Sequence, residues 1–304
     1  MAAPKIIVAG GSGFIGRHLV PKLAERGYDV IVLSRQPQAR MGAWREELWD
    51  ARTLGQWSEV VDGAQAVLNL SGRSINTRHN AAHQKEIMES RVDSTRALGE
   101  AIQRAVRKPA AWVQASALGI YGEPADRVCP ESAPVADDFI AMVTRRWEEA
   151  LVESNTPGVR KVALRIGLAL ERDGGALRTL ATLTRWFLGG SAGSGQQYVS
   201  WVHMTDLVEM FIWAIENPDI EGAWNVCTPF PVTNAEFMRE LRRALHRPWS
   251  PPVPVWAVKV GAAMMGTESH LALGGRRCVP QKFIEKGFRF QFPELRSALQ
   301  NLLT

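Results

Sequence analysis

Cysteine is scarce in this 304-residue chain: Cys129, Cys227 and Cys278 are the only three. They are far apart and odd in number, so they point to neither a disulfide framework nor a metal knuckle. A reducing, cytoplasmic setting is expected for such a chain. No apolar run is long enough to span a bilayer, which excludes a membrane helix. The opening Met-Ala-Ala-Pro leads directly into the first apolar run and leaves no room for a signal peptide. Blocks of like charge are also missing. The formal charge is +5, from 36 Lys and Arg against 31 Asp and Glu, but the two signs are interspersed, so nucleic acid is not an expected partner. A modest positive balance suits a phosphate-bearing cofactor or substrate equally well. Tyrosine occurs only as Tyr28, Tyr121 and Tyr198, and none has lysine four residues later. The chain shows no internal repeat.

What is present begins almost at once. Ile6 to Ala9 form a short apolar run that ends in glycines. Gly10, Gly13 and Gly16 fall three apart, and Arg17–Arg26 continues as a helix with Leu19, Val20 and Leu23 on one face. Strand, glycine turn and helix in this order make the glycine pattern informative about dinucleotide binding. Glycine permits positive φ and lets a pyrophosphate approach without a Cβ in the way. The helix N-terminus adds free N–H groups and the positive end of its dipole. The residues of this turn expected at the cofactor are Gly10, Ser12, Gly13, Phe14, Ile15 and Gly16.

Strands and helices then alternate. Strands are predicted over Val30–Leu33, Glu47–Trp49, Ala66–Leu70, Ala111–Ala115 and Val162–Ile166, with helices over 81–106 and Asp138–Glu153. This alternation argues for a parallel sheet with helices on both faces. The second half is less regular. Helices are expected over Gly174–Leu188, Asp206–Glu216 (capped by Thr205) and Asn234–Leu245 (capped by Thr233 or Asn234). Trp224–Val226 is a strand returning to the main sheet, and 248–254 is an extended or linking segment. With 46% hydrophobic residues the chain can build a substantial core. The expected division is 1–166 for nucleotide binding and 167–304 for a mixed C-terminal region, of which about 201–228 returns to the sheet. The eleven tryptophans read mostly as core.

The second strand ends Val32-Leu33-Ser34-Arg35. An acidic residue there would favour the ribose hydroxyl of NAD, whereas arginine pairs with a 2′-phosphate. Ser34 and Arg35, with Arg40 close behind, therefore favour NADP. Asp50 is open to two roles, adenine contact or a plain turn. Asn69, Leu70, Ser71 and Gly72 end the fourth strand at the expected cofactor edge.

Several segments in order resemble the extended short-chain dehydrogenase/reductases of the nucleoside-diphosphate-sugar epimerase type. They are Gly10–Gly16, Asn69–Gly72, Ala115–Gly122, Leu164–Gly167 and Trp201–Leu207. Ser90-Arg91, Arg146-Trp147-Glu148, Gly189–His203, Gly274–Arg277 and Phe292–Leu295 are similar to an atypical epimerase-like branch. The resemblance implies an α/β fold with a Rossmann-type doubly wound parallel sheet and a small C-terminal substrate lobe. It also implies an active site of Ser or Thr plus Tyr-x-x-x-Lys, whose lysine lowers the tyrosine pKa. This chain departs from that set. Ala117 falls at the serine position, Ile140 at the tyrosine position and Thr144 at the lysine position.

The remaining candidates for chemistry are Tyr121, Ser116 and His203. Gln197 and Trp201 also follow the glycine-rich loop, where binding groups are common. Arg91 sits on the long helix, facing either the pocket, a carboxylate or solvent, while Lys85 and Glu86 read as solvated. The expected function is an NADP(H)-binding epimerase- or reductase-like protein. Its substrate would be an unidentified small polar metabolite, with nucleotide-sugars one candidate class. The alternative is a non-catalytic NADP(H) sensor or regulator. No metal is expected, and either a monomer or a homodimer is compatible with the sequence.

Overall fold

The first strand, β1 (Lys5–Ala9), sets the layers. Ile6 and Val8 are buried on one face of the sheet, and Ile7 and Ala9 on the other, because successive strand side chains point to opposite faces. The computed structural model describes residues 3–37 and 43–304, so Arg40 lies outside the described residues. After β1 come α1 (Gly16–Glu25), β2 (Asp29–Ser34), β3 (Trp44–Leu48), β4 (Ala66–Asn69), α2 (Ala81–Arg104) and β5 (Ala111–Ala117). β6 (Val128–Cys129), α3 (Phe139–Glu153), β7 (Arg160–Ile166) and β8 (Leu168–Leu170) follow. β3 lies about three residues earlier than its predicted start and ends before Trp49, whose buried ring packs edge-on against Trp57.

The second half contains α4 (Gly175–Arg185), β9 (Tyr198–Val199), β10 (Trp201–His203), α5 (Met204–Glu216) and β11 (Gly222–Val226). It continues with β12 (Val232–Thr233), α6 (Asn234–Ala244), α7 (Val255–Met264), α8 (His270–Leu273), β13 (Arg277–Cys278), α9 (Gln281–Glu285) and α10 (Leu295–Leu303).

The main sheet has seven strands in the order β11-β7-β5-β4-β1-β2-β3, all parallel. The chain reverses direction across the sheet between β1 and β4, which is where a doubly wound fold opens its ligand crevice. On one face α1 and α5 bury Leu19, Val20, Leu23, Leu207 and Phe211. On the other, α2 buries Leu98, Ala101 and Ile102 with Trp112 of β5. β11 joins the sheet edge beside β7, whereas β10 pairs with β8 in a separate two-stranded ladder. A further core gathers α4, α6 and α10 around Trp201, Phe237 and Leu299.

Two helix starts differ from expectation or resolve it. The cap of α5 is His203 rather than Thr205, because His203 Nδ1 accepts the Thr205 N–H. Thr233 caps α6 in a reciprocal box with Glu236. Three tryptophans, Trp186, Trp249 and Trp256, are exposed rather than core. The three cysteines, distant in sequence, meet in one buried cluster as free thiols. Among the described residues no helix is long and apolar enough to cross a membrane.

Asp206 ties the C-terminal segment to this frame. Buried in the first turn of α5, its two oxygens accept the N–H groups of Gln291 and Phe292 at 2.8 and 3.0 Å. Asp206→Ala removes two charge-assisted bonds and strands two donors, an expected loss of about 2–4 kcal/mol. Urea unfolding measures it, and a change lost in the noise of the wild-type curve would show that this tether is not structural.

Candidate cofactor and active site

The glycine turn lies at the reversal point of the sheet. Gly10 has φ +75°, and a Cβ there would stand 3.0 Å from the Leu70 carbonyl carbon and 3.1 Å from the Ser71 nitrogen. Only glycine permits the turn and the β4 loop to lie this close. The Gly13 N–H closes back on the Gly10 carbonyl at 3.0 Å. A Cβ on Gly13 would meet nothing within 4 Å except that same carbonyl, so the other side of Gly13 is open. α1 begins without a side-chain cap. The N–H groups of Phe14, Ile15 and Gly16 donate to no acceptor among the described residues. Free donors at the positive end of a helix make a site for an anion. The Phe14 ring itself packs away from that opening, against Gly174 and Gly175 at the start of α4, and Arg17 covers it at 5.2 Å. Nothing in the periodicity announces those two glycines as the seat of an aromatic ring.

The end of β4 has two kinds of residue. Asn69 is fully buried and structural: its Nδ2 donates to Thr95 Oγ1 and Gln114 Oε1, and its Oδ1 accepts the Ser71 N–H. It joins β4, α2 and β5 and fixes the shape of the loop. Leu70 supplies backbone, packed under Gly10. The Ser71 hydroxyl, in contrast, is buried with no hydrogen-bond partner. Gly72 lies against the guanidinium of Arg91. A glycine cradle beside an orphaned buried hydroxyl fits an oxygen-rich ligand.

At the end of β2, Ser34 is buried and caps its own loop by accepting the Gln36 N–H. Arg35 is exposed and pairs with no carboxylate among the described residues. Asp50 accepts the N–H groups of Arg52 and Thr53 and the Thr53 hydroxyl, the contacts of a turn.

The candidates for chemistry are each engaged with protein. Ser116 Oγ donates to Glu148 Oε1 at 2.5 Å. Tyr121 is 1% exposed; its hydroxyl donates to Asn225 Oδ1 at 2.8 Å and accepts from Arg165 Nη1 at 2.7 Å. Burial pushes the phenol up out of its ordinary range. Arg165 in turn forks onto both oxygens of Glu148 at 2.8 Å. Burial pulls this guanidinium down, and Glu148 more than offsets that, holding it above the usual arginine range. Ser116, Tyr121, Glu148, Arg165 and Asn225 therefore form one closed network joining β5, α3, β7 and β11. Sequence reading missed Glu148, Arg165 and Asn225. The signal was Arg165 between Leu164 and Ile166: a charge inside an apolar strand needs a partner. His203 stands apart from this group. Its Nδ1 caps α5, its Nε2 meets Asn301 Oδ1 at 3.2 Å, and its ring stacks on Phe292. Burial lowers its pKa. Gln197 donates to the carbonyls of Ala192 and Ala272 and so holds its loop.

Ile140 and Thr144 lie along α3 where it packs on the end of β5: a Cβ on Gly119 would touch Ile140 at 2.5 Å and Thr144 Oγ1 at 3.8 Å. The Thr144 hydroxyl donates to the Ile140 carbonyl. Neither residue ionises. Among the described residues no group of three or more His, Cys, Asp or Glu is arranged to hold a metal.

Comparison with known proteins agrees with this architecture. Residues 6–140 match the NAD dependent epimerase/dehydratase family, and residues 253–302 match a domain of unknown function, DUF1731. The epimerase family protein YfhF of Bacillus subtilis is 34% identical over 98% of this chain and 97% of its own. Human SDR39U1, solved with NADPH, superposes with a TM-score of 0.87 at 31% identity, over 98% of this chain and 99% of that one. The chain belongs to the SDR39U1 epimerase family, within the extended short-chain dehydrogenase/reductases. A nucleoside-diphosphate sugar epimerase from Corynebacterium glutamicum is 30% identical, with a TM-score of 0.80, over 99% of this chain and 58% of that one. The chain has the glycine cradle and no Tyr-x-x-x-Lys pair.

Two outcomes follow from these contacts. Tyr121→Phe removes a hydroxyl that satisfies two buried groups, and it should cost about 1–3 kcal/mol in a thermal or urea melt. A variant that melts like wild type would overturn the closed network. His203 has a folded pKa below its unfolded value near 6.5, so its contribution is present above that pH and is lost as pH falls through the folded pKa. The melting temperature of the wild type should therefore drop more steeply below pH 6.5 than that of His203→Gln. Parallel pH profiles would refute this.

Proposed function

We propose that this chain binds NADPH across the β1–β4 crevice and is a reductase- or epimerase-type protein for a small polar metabolite. One observation carries the reading: among the described residues, an open glycine turn with three free N–H donors lies beside an unpartnered buried hydroxyl, and Arg35 after β2 pairs with no carboxylate. The pyrophosphate would rest on Gly13 and the N–H groups of Phe14, Ile15 and Gly16. Arg35 would pair with the 2′-phosphate as a charge-assisted fork. The NADPH complex of the human relative supports the choice of cofactor. When bound, that cofactor supplies or accepts a hydride. The residues of this chain orient it and shape the space at Ala117, Ile140 and Thr144, where no side chain carries an exchangeable proton of suitable pKa. The substrate's proton would therefore come from water or from the substrate itself.

A second reading, a non-catalytic NADPH sensor, is favoured by the closed network around Tyr121 and Ser116, which leaves no free acid or base there. NADPH consumption against a panel of carbonyl metabolites separates the two. Turnover above the rate of protein-free controls rejects the sensor.

The cofactor reading is tested by two variants. Arg35→Ala should weaken NADPH by about tenfold or more and leave NADH nearly unchanged. Gly13→Val should place a branched side chain in the open space and abolish NADPH binding, while the melting temperature stays close to wild type. Calorimetric titration reads both. Equal affinities of the wild type for NADPH and NADH would overturn the role of Arg35, and normal binding by Gly13→Val would overturn the placement of the pyrophosphate.

A further inference from the structure

Arg91 is a cation with no counter-charge among the described residues. It lies on α2 four residues after Ile87, four before Thr95 and seven before Leu98, all of which are buried. Its guanidinium carbon stands 3.3 Å from where a Gly72 Cβ would be, so it rests on the loop that ends β4. The ring of Trp147 on α3 lies under it at 5.1 Å. One N–H, at Nη1, donates to the Ile87 carbonyl at 2.9 Å. No carboxylate among the described residues pairs with it, and burial alone pulls it down to about 10. The Trp147 ring it faces carries a second unpartnered donor, an indole N–H buried with no acceptor among the described residues. Unpaired desolvated donors are costly unless a ligand completes them.

An anion is what this collection lacks. The phosphates of a bound NADPH already have their positive groups: the N-terminus of α1 for the pyrophosphate and Arg35 for the 2′-phosphate. Arg91 lies elsewhere, over Trp147, and Trp147 is one helical turn along α3 from Thr144. That is the end of the crevice where the family's reacting groups stand. Resting on the NADPH reading above, we propose that Arg91 binds an anionic group of the substrate, a carboxylate or a phosphoryl. The substrate is then an acid or a phosphate ester rather than a neutral metabolite. A planar guanidinium fork suits either oxyanion.

The test uses the full chain loaded with NADPH, with inorganic phosphate and acetate as probes in calorimetric titrations. Arg91→Met keeps the apolar stem on Trp147 and removes the charge, which protects the fold; circular dichroism melts confirm that it does. The wild type should bind at least one probe saturably. Arg91→Met should lose about tenfold or more of that affinity, Arg91→Lys should retain part of it, and NADPH affinity should be unchanged in both. Three results overturn the proposal: no saturable binding of either probe, equal binding by Arg91→Met, or a comparable loss of NADPH affinity in Arg91→Met, which would assign Arg91 to the cofactor. A wild type that fails to bind NADPH overturns the preceding reading instead. The same titrations without NADPH, in an Arg35→Ala background, still judge Arg91 in that event.

Discussion

The whole crevice depends on one close approach, that of the Gly10 backbone to the Leu70–Ser71 peptide. Here the chain crosses from β1 to its two neighbours, β2 on one side and β4 on the other. The approach leaves no room for a side chain: a Cβ would sit 3.0 Å from a carbonyl carbon, and positive φ penalises any residue but glycine. Because the two loops touch, the turn is held open on its outer side, where Gly13 faces free space, and α1 starts with its donors uncovered. Asn69 supports the arrangement from below. Its bonds to Thr95, Gln114 and the Ser71 N–H fix the β4 loop against α2 and β5, so the cradle is set by buried bonds rather than by the ligand.

The other side of the crevice has been rebuilt. A carboxylate and a guanidinium, both largely but not fully shielded from water, meet as a fork, Glu148 with Arg165, and each is further bonded, to Ser116 and to Tyr121. The less such a pair sees water, the more it depends on further bonds of this kind. The consequence for chemistry is direct. A phenol that donates to an amide and accepts from a guanidinium, with its pKa pushed up by burial, is a poor proton donor to anything else. The polar residues at the end of β5 thus bind β5, β7, β11 and α3 together.

Much of this was legible before any coordinates. The glycine turn is local: strand, three glycines and an amphipathic helix specify it within about twenty residues, and the same holds for the alternation that gives the parallel sheet. Caps were readable to within a residue, and failed at His203 because an imidazole nitrogen took the place of the expected hydroxyl. What stayed hidden depends on residues far apart in the chain. Tyr121 meets Asn225, and Cys129, Cys227 and Cys278 meet one another, only after the sheet has formed. A strand-end tyrosine looks the same in sequence whether it faces a substrate or a guanidinium. Arg91 was more readable than it looked. The spacing Ile87-Arg91-Thr95-Leu98 places it on the buried stripe of α2, which already rules out the solvated face.

That placement bears on why the family's lysine can be absent. A lysine on α3 would bring a positive charge to the reacting end of the crevice. In this chain α3 offers Thr144 there, and one turn further Trp147. On the proposal above the charge comes instead from α2, where the Arg91 guanidinium lies 5.1 Å from the centre of the Trp147 ring. The two solutions are not equivalent. A lysine beside a tyrosine tunes that tyrosine as an acid. An arginine over an aromatic ring, with no ionisable neighbour among the described residues and below its usual pKa only through burial, remains charged throughout the physiological range. It can only attract and orient. On the reading proposed above, Arg91 and Arg35 supply attraction while Ile140 and Thr144 offer no ionisable group, so the crevice would hold charged oxygens in place rather than move protons.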